Sequence, residues 1–485
     1  MLKAKTRPHG CIHPLSRKEL TSDTPIQSLG RPARLILRLK QHSGAPALPV
    51  VAVGQQVKAG EMIARGQGRM SVPVHSPLAG EVVAILDEPK PSIVIKVSSE
   101  QPLAPTLQPL EELPERDALL GLIDQAGIVG MGGAMFPAAD KLRMSLRHKI
   151  ETLIINGSEC EPYLTVDDRL MREQGEQLLG GIRYIQQITK ATKVYIGIED
   201  NKQDALEIMD GLCADEADIE VVALPALYPM GSAKQMIEAI TGQQIPQGRR
   251  STEMGVLVQN VGTCIAIFQA IRFGRPLTHR VITVSGGAIE KPSNLLVPLG
   301  TPVSEIINFC GGLKDKPARM VMGGPMMGKA FTDLQEPITK GSSGVLLLNA
   351  NELPNPHPSA CVRCGRCADA CPMSLAPLDM VAELKIDNFD NARQLGVDEC
   401  LLCGSCSYVC PAAIPLTEYF DWGQQELYRQ KMAEQKTKRT CTNSALRRER
   451  LTREAEAREA AKAAKAAQSP RRAGRRTPTV QEDAS

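Results

Sequence analysis

The cysteines between residues 361 and 411 restrict the fold more than any other feature of this chain. Eight of the fourteen cysteines form two copies of the run Cys-x2-Cys-x2-Cys-x3-Cys-Pro, at Cys361–Pro372 and Cys400–Pro411. In such runs three thiolates from one loop hold a [4Fe–4S] cluster, and the fourth cysteine ligates the other cluster. The spacing therefore predicts an α-helical two-cluster ferredoxin module, in which the fourth cysteine of each run opens a helix.

Crossed ligation divides these cysteines into two sets. Cluster 1 is expected to be held by Cys361, Cys364, Cys367 and Cys410, and cluster 2 by Cys371, Cys400, Cys403 and Cys406. The crossing keeps the two clusters close together, which suits electron transfer between them. Zinc is the alternative, but structural zinc sites usually pair two Cys-x2-Cys elements. The remaining six cysteines are expected to be ordinary buried or surface residues: Cys11, Cys160, Cys213, Cys264, Cys310 and Cys441.

The composition excludes several classes of protein. With 485 residues, 42% of them hydrophobic, the chain is long enough for roughly two to four domains. It contains no apolar run of about 18 residues, so we expect no transmembrane helix, and its polar N-terminus shows no secretory signal. Fourteen cysteines without such a signal indicate a reducing compartment. Aromatic residues make up only 3%, which argues against a nucleic-acid-binding surface.

Residues 1–110 are expected to form a barrel-sandwich domain. Short apolar runs such as LILRL, VVAV and SIVIKV alternate with Gly and Pro, as in short β-hairpins. The phrases VGQQVKAGEMIA and SPLAGEVVAI resemble the paired halves of lipoyl- and biotinyl-carrier domains. Those domains attach their cofactor to a lysine in the hairpin between the halves, but here the hairpin reads Gly68-Arg69-Met70-Ser71. An arginine cannot form that amide link, so a structural role is predicted.

Residues 111–275 are expected to form a Rossmann-like α/β domain, reached through a Pro-rich linker at Gln101–Pro114. The apolar runs TLIING, KVYIGIE and IEVVALP alternate with helical patterns such as EQLLGGIRYIQQIT, which indicates βαβ units and a mainly parallel sheet. Residues 276–352 return to short strands around the helical pattern VSEIINFC, and we interpret them as a small β-grasp domain. The ferredoxin module is assigned to residues 353–430, and a basic, alanine-rich tail to residues 431–485.

Two segments of the α/β domain have the composition of a cofactor-binding site. The first, Gly127–Pro137, contains four glycines and leads into a helical pattern that carries Lys141. Glycines let a backbone approach a phosphate, and a helix N-terminus favours an anion. The second, Asn156–Pro162, follows an apolar strand, and ligands of open α/β sheets bind just past strand ends. From the residues alone, either segment could equally be an ordinary turn.

Together the two segments resemble the NADH- and flavin-binding subunit of respiratory complex I, and the resemblance extends to Val258–Thr263. It implies that FMN and a nicotinamide dinucleotide bind here, with Phe136 stacking on the dinucleotide and Glu161 facing it. It also implies that Gly130, Gly132 and Lys141 serve FMN. The residues implied to hydrogen-bond the flavin, to lie beside it or to form its phosphate loop are Asn156, Glu159, Tyr228, Gly231, Asn260 and Thr263.

The order of domains narrows the resemblance. With the phrases GIVGMGGAMFP, INGSECEPY, YPMGSAKQM and MGGPMMG, the chain resembles the RnfC family of the bacterial Rnf ion-translocating electron-transport complex. This implies a peripheral, NADH-linked oxidoreductase subunit on the cytoplasmic side of the bacterial inner membrane. It would pass electrons between NADH, FMN and two [4Fe–4S] clusters, next to other subunits that include an iron–sulfur partner. No catalytic side chain is implied beyond the cofactors.

Two alternative functions remain open. Ser158 stands where the complex I family has an aspartate, and Ser232-Ala233 stands where it has a glutamate pair. A cluster relay or scaffold subunit without a working nucleotide site is therefore one alternative. A soluble cobalamin reductase-like flavo-iron–sulfur protein is the other, because the cobalamin reductases of bacterial microcompartments share much of this architecture.

The charge is unevenly distributed along the chain. The net charge is +3, but Lys436–Arg476 contains fourteen Lys and Arg against four Glu, which gives +10 there and leaves −7 elsewhere. The phrase REAEAREAAKAAKAAQ favours a helix but has almost no large apolar side chain. We expect a solvated extension, helical or disordered; contact with anionic headgroups or an acidic subunit is the alternative.

Overall fold

A computed structural model describes residues 1–105, 107, 115–353 and 357–467. Most of the second half of the predicted linker, the start of the predicted ferredoxin module and the end of the tail lie outside the described residues. The chain forms two compact units, Met1–Phe420 and a second that begins at Asp421. The first unit contains both cysteine runs and both predicted flavin segments. No described helix is long and apolar enough to cross a bilayer.

The N-terminal segment joins sheets that are built from later parts of the chain. Strand β1 (Leu2–Lys3) pairs in parallel with residues 222–223, and β2 (Ile26–Ser28) with residues 294–296. Between them, Lys18 donates from Nζ to the carbonyl oxygens of Glu159 and Glu161, at 2.8 and 2.9 Å. The segment therefore fixes the backbone of the second predicted flavin segment.

Seven short strands follow, and they form two antiparallel sheets with the orders β3-β9-β8-β5 and β4-β6-β7. They are β3 (Arg34–Arg38), β4 (Leu48–Pro49), β5 (Gln56–Val57), β6 (Met62–Arg65), β7 (Val74–His75), β8 (Gly80–Leu86) and β9 (Ser92–Val97). Leu35 and Leu37 are fully buried because side chains alternate across a strand. The prediction that VVAV, residues 50–53, forms a strand was wrong. Strand β4 ends at Pro49, and the chain turns at Gly54 with φ +87°.

The α/β region is built on a parallel sheet of order β1-β12-β11-β10-β13. Its elements are α1 (Arg116–Gln125), α2 (Ala138–Ser145), β10 (Thr152–Gly157), α3 (Val166–Thr189), β11 (Lys193–Glu199), α4 (Gln203–Leu212), β12 (Ile219–Leu224), α5 (Ala233–Thr241), β13 (Val256–Asn260) and α6 (Val261–Phe273). Helices α3 and α6 cross closely: a Cβ on Gly181 would lie 2.0 Å from the carbonyl oxygen of Cys264. The predicted parallel sheet of βαβ units is confirmed.

The strand order of this sheet reverses beside β10. From β10 the chain continues outward through β11 and β12, and β13 then returns to the other side of β10. Open α/β sheets bind ligands in the crevice that such a reversal creates at the carboxyl ends of the strands. Asn156 of β10 and Asn260 of β13 are paired in register at that end. We call this place the flavin crevice.

The β-grasp region is a mixed sheet of order β17-β16-β18-β14-β15-β2 with one helix. Its elements are β14 (His279–Ser285), β15 (Ser293–Pro298), α7 (Val303–Phe309), β16 (Arg319–Met322), β17 (Lys329–Phe331) and β18 (Gly344–Leu348). Strands β14 and β18 are parallel, and the β14–β15 hairpin is antiparallel. The predicted short strands around one helix are confirmed.

The cysteine runs fold as two similar copies. The helices of this region are α8 (Arg366–Asp369), α9 (Pro377–Lys385), α10 (Phe389–Gln394), α11 (Ser405–Tyr408) and the start of α12 (Leu416–Ala467). The prediction that the fourth cysteine opens a helix was wrong. Cys371 and Cys410 lie after α8 and α11, and the prolines that follow them lead into turns. Helix α9 begins only at Pro377, because proline is favoured in the first helical turn and not at its interior.

In the second unit, the described residues from Asp421 continue α12 as far as Ala467. Every residue from Lys431 to Ala467 is exposed. This agrees with a sequence that has few large apolar side chains and therefore little to bury.

Candidate functional site: a flavin crevice beside two cysteine cavities

The glycine segment folds as a loop over the end of β13. The Gly130 N–H donates to the carbonyl oxygen of Phe136 at 2.8 Å, which closes the loop. Gly132 is exposed, and a Cβ placed on it would lie 3.4 Å from Cβ of Asn260. Gly133, with φ +114°, has open space around it. Phe136 is half-buried at the far end of the loop.

This loop is anchored from three sides by buried side chains. The Met131 N–H donates to Oγ1 of Thr263 at 2.9 Å, and Arg280 donates from Nη2 to the Met131 carbonyl oxygen at 3.0 Å. Lys340 donates from Nζ to the carbonyl oxygens of Gly127 and Pro73, at 2.7 and 2.8 Å. Burial without an acidic partner lowers the pKa of Lys340 to about 7. The β-grasp residues Arg280 and Lys340 therefore hold the loop of another region.

The Lys141 side chain binds strand β13 and not the glycine loop. Its Nζ donates to the carbonyl oxygen of Val258 and, at 3.3 Å, to Oε1 of Gln259. Burial lowers the pKa of Lys141 to about 8. The buried Nε2 of Gln259 has no hydrogen-bond partner, so one donor remains available at the end of β13. The role of Lys141 toward FMN stays a prediction.

The second segment presents Asn156 to the crevice. Asn156 donates from Nδ2 to the carbonyl oxygen of Gly231 at 2.8 Å, and its Oδ1 accepts from the Ser158 N–H at 3.1 Å. Its neighbour across the crevice, Asn260, accepts from the Gly262 N–H and donates to Asp167 at 2.8 Å. These groups fit a flavin with its phosphate. The exposed Gly132 allows a ligand to approach the backbone, and the amide side chains of Asn156, Asn260 and Gln259 offer polar contacts.

The two predicted glutamates bind backbone groups of the chain itself. Oε1 of Glu159 accepts from the Asp167 N–H at 2.8 Å, near the start of α3. The carboxylate of Glu161 accepts from the N–H groups of Met326 and Met327, at 3.0 and 2.9 Å, in the β-grasp phrase MGGPMMG. Burial raises the pKa of Glu161 to about 7. The roles of both residues toward the flavin and the nucleotide stay predictions.

Two acids beside the crevice were not among the predicted site residues. Glu199, at the end of β11, accepts from Oγ of Ser158 at 3.0 Å and pairs with Lys202 at 2.5 Å. A buried carboxylate is therefore hydrogen-bonded to Ser158, which stands where the complex I subunit has an aspartate. Asp167 is the second acid. Burial first, and the nearby Glu159 next, raise its pKa to about 7. Glu199 ends an apolar run, where a sequence more often indicates a turn than a ligand contact. Asp167 belongs to no local pattern that a sequence could reveal.

The eight cysteines surround two cavities. Cys371, Cys400, Cys403 and Cys406 line the first cavity, which we call the inner cysteine cavity. Cys361, Cys364, Cys367 and Cys410 line the second, which we call the outer cysteine cavity. Each cavity thus combines three cysteines of one run with the fourth of the other, as the crossed assignment expects, and four thiols around a cavity suit a cubane. Within the described residues, no three His, Cys, Asp or Glu side chains are arranged to hold a single metal ion.

The α/β region packs against the inner cavity. The Tyr228 hydroxyl donates to the carbonyl oxygen of Cys403 at 2.6 Å, and Gln235 of α5 donates to the carbonyl oxygen of Pro372 at 2.9 Å. A Cβ on Gly10 would lie 2.1 Å from the carbonyl oxygen of Cys371, so the N-terminal segment also packs there. Tyr228, expected beside the flavin, therefore bonds a predicted cluster ligand.

Comparison with known families identifies four domains in the same order as the fold. Residues 6–97 match the RnfC barrel sandwich hybrid domain, 123–269 the Nuo51 FMN-binding domain, 281–330 the SLBB domain and 354–411 the 4Fe-4S dicluster domain. Together they define an electron-transfer protein with an FMN-binding domain and a two-cluster iron–sulfur domain. The predicted fold class, FMN and the two [4Fe–4S] clusters are thereby confirmed.

Known relatives identify the family of electron-transfer proteins to which the chain belongs. Over 430 residues the chain is 42% identical to a subunit of the ion-translocating oxidoreductase complex of Rhodobacter capsulatus, covering 86% of this chain and 82% of that one. It is 43% identical to a subunit of the proton-translocating ferredoxin:NAD(+) oxidoreductase complex of Clostridium ljungdahlii, covering 76% and 82%. The chain belongs to this family, the RnfC family of ion-translocating oxidoreductase complexes. A NAD+-reducing [NiFe]-hydrogenase structure aligns with a TM-score of 0.47 and 18% identity, over 62% of this chain and 60% of that one.

Proposed function

We propose that this chain is the electron-input subunit of an ion-translocating oxidoreductase complex and exchanges electrons with NADH at the flavin crevice. The single observation that carries the proposal is the position of the crevice, whose loop residue Tyr228 contacts the inner cysteine cavity. FMN, when bound, exchanges two electrons with a nicotinamide and single electrons with iron–sulfur clusters. The name of the Clostridium relative, which belongs to a ferredoxin:NAD(+) oxidoreductase complex, supports NADH and an iron–sulfur partner.

The chain's own residues would bind and orient the cofactor. The exposed backbone at Gly132 allows close approach, and the half-buried Gly130 closes the loop that presents it. Asn156, Asn260 and Gln259 offer amide groups at the carboxyl ends of β10 and β13. Thr263 acts indirectly, because its hydroxyl holds the loop through the Met131 N–H. Gly231, whose carbonyl oxygen binds Asn156, shapes the opposite wall.

We further propose that electrons pass from the crevice to the inner cavity and then to the outer one. Cys371, Cys403 and Cys406 are buried, whereas Cys361 and Cys364 of the outer cavity are exposed. An exposed cluster is the natural point of exchange with another subunit, since electron transfer requires close approach. The outer cavity would therefore face the iron–sulfur partner.

Peripheral association on the cytoplasmic side of the membrane is part of the proposal. The exposed basic part of α12 could strengthen it, because Lys and Arg are attracted to anionic surfaces and the attraction fades over about 8 Å at physiological salt. Deleting residues after Thr440 should leave iron and flavin content intact and weaken association most at low salt. Equal association of both forms across a salt series would contradict this role.

The decisive experiment is anaerobic purification, measurement of iron, sulfide and flavin, and titration with NADH. We expect about eight irons and eight sulfides per chain, bound FMN, and bleaching of the flavin by NADH. Glu161→Gln should keep FMN but weaken reduction by NADH if this residue faces the nucleotide. Dithionite reduction of the clusters serves as the control for their integrity.

A cluster relay without a nucleotide site is the second candidate. It is favoured by Ser232-Ala233, which stands where the complex I subunit has a glutamate pair. It is also favoured by the binding of the Glu159 and Glu161 carboxylates to backbone groups. Full iron and FMN, with no reduction by NADH at any concentration, would support the relay against the first candidate.

A further inference from the structure

Tyr228 lies on the loop after β12 and is held there by the N-terminal segment. Its N–H donates to the carbonyl oxygen of Ile12 at 2.9 Å, and the Ile12 N–H donates back to the Tyr228 carbonyl oxygen at 2.8 Å. The side chain is 1% exposed and packs in an apolar cluster with Ile12, Ala370 and Cys403. Its position is therefore fixed from both the backbone and the ring.

The hydroxyl of Tyr228 makes a hydrogen bond to the backbone of the second cysteine run. It donates to the carbonyl oxygen of Cys403 at 2.6 Å, and the bond is buried. A phenol ordinarily has a pKa of about 10, so the group is a protonated donor at neutral pH. The corresponding cysteine of the first run, Cys364, is exposed. The two cluster sites therefore differ at this position.

The same loop also reaches the flavin crevice. The Gly231 N–H donates to Sγ of Cys160 at 3.3 Å, and the Gly231 carbonyl oxygen accepts from Asn156. Four consecutive residues, Tyr228 to Gly231, thus join a side chain of the crevice to the backbone of a predicted cluster ligand. Cys160, expected to be an ordinary residue, packs between the two.

A hydrogen bond at this place should affect the reduction potential of cluster 2. The positive end of the O–H dipole points toward the Cys403 peptide group, and an added electron on the cluster is stabilised by a nearby positive dipole. Hydrogen bonds to the cluster sulfurs set cluster potentials directly. The Tyr228 bond goes to the backbone of a ligand, so it would act as an outer-shell contact that orients and polarises that ligand. Loss of the hydroxyl would also leave a buried carbonyl oxygen without its donor.

We propose that Tyr228 is a positioning residue that raises the reduction potential of cluster 2 through its bond to Cys403 and so favours transfer from the flavin crevice. The favoured transfer rests on the proposed function, but the potential does not. Tyr228, which the resemblance places beside the flavin, would then act on the cluster.

The test is Tyr228→Phe in the full chain with FMN and both clusters bound. Clusters are reduced stepwise with dithionite and mediators, without NADH, and followed by electron paramagnetic resonance. Cluster 2 should become harder to reduce by about tenfold in its equilibrium constant, which is 59 mV for one electron. Cluster 1 should not change. Tyr163→Phe is the matched control, since it removes a hydroxyl that binds Glu352 at 2.8 Å away from both cavities.

A second variant covers the case in which Tyr228→Phe fails to assemble cluster 2. Incorporation of 3,5-difluorotyrosine at position 228 keeps the ring and makes the hydroxyl a stronger donor, so the potential of cluster 2 should rise. An unchanged cluster 2 potential in the assembled variants would overturn the proposal. If NADH does not reduce the unmodified protein but the potential shifts as expected, the proposed function fails and this inference stands.

Discussion

The two cysteine runs have the same sequence pattern and a similar backbone conformation, but their surroundings differ. Arg363 and Leu402, at equivalent positions, have φ values of +53° and +54°, and Gly365 and Gly404 have +78° and +81°. Around the second run, Tyr228 and Lys234 reach in from the α/β region, and bind the Cys403 carbonyl oxygen and the Glu399 carboxylate. The loop of the first run is exposed from Cys361 to Arg366.

This difference shows that the ligand pattern and the surroundings of a cysteine run have separate origins. Local spacing determines which thiols can surround a cluster. Tertiary packing determines which cluster is buried next to the flavin crevice and which faces outward. Two copies of one motif can therefore serve as an entry and an exit for electrons.

The largest effect is expected when the fourth cysteine of one run is removed. Cys410→Ala should destroy cluster 1, although Cys410 lies in the second run, and Cys371→Ala should destroy cluster 2. Iron content should fall by about half in each case, because one of two four-iron clusters is lost. Electron paramagnetic resonance identifies the cluster that remains. Loss of the cluster within the mutated run would show that ligation does not cross.

The next largest effect is expected at the crevice. In Gly132→Val the added methyl groups extend beyond a Cβ that already lies 3.4 Å from Asn260, and they would occupy the space into which a flavin must approach. FMN content should fall at least about tenfold, which corresponds to 1.4 kcal/mol of lost binding. Both clusters should assemble normally. Gly211→Val, on the exposed face of α4 with nothing within 4 Å, is the control. Normal FMN content in Gly132→Val would reduce the loop to a simple turn.

The sequence predicted the parts of this protein whose chemistry is local. Cys361 to Cys410 could be assigned to two sets because thiolate ligation imposes a spacing that is visible along the chain. The hydroxyl of Tyr228 could not be assigned, because Cys403 lies 175 residues away and only packing brings them together. Arg280 and Lys340 were missed for a related reason: each is an isolated basic residue whose partners are backbone carbonyls of another region. The hydrogen bond of the Glu161 carboxylate could not be predicted either, because its donor, the Met326 N–H, lies 165 residues away.

A smaller effect is expected from the titration of Glu161. Its folded pKa of about 7 lies above the ordinary 4.5, so its contribution to stability is fully present below pH 4.5 and is lost as the pH rises through 7. Glu161→Gln cannot titrate. The free energy of unfolding of the unmodified chain should therefore fall by about 2 kcal/mol more than that of the variant between pH 5 and pH 8. Urea unfolding at several pH values measures this, and parallel pH profiles of the two proteins would refute it.

The smallest expected effect comes from the ion pair between α5 and the second cysteine run. Lys234 binds Glu399 at 2.7 Å, one residue before Cys400, and both side chains are largely shielded from solvent. Lys234→Met keeps the length of the side chain but removes the charge, so the inner cavity should be held less firmly against the α/β region, at a cost of about 1 kcal/mol. Urea should then release cluster 2 at a lower concentration in the variant, while cluster 1, which has no such ion pair among the described residues of its run, keeps its midpoint.

Lys149→Met, which breaks the exposed pair with Glu151, should change neither midpoint. If both clusters were released together and equally early in Lys234→Met, the packing of the α/β region would not distinguish the two sites, and the difference in their roles would need another cause.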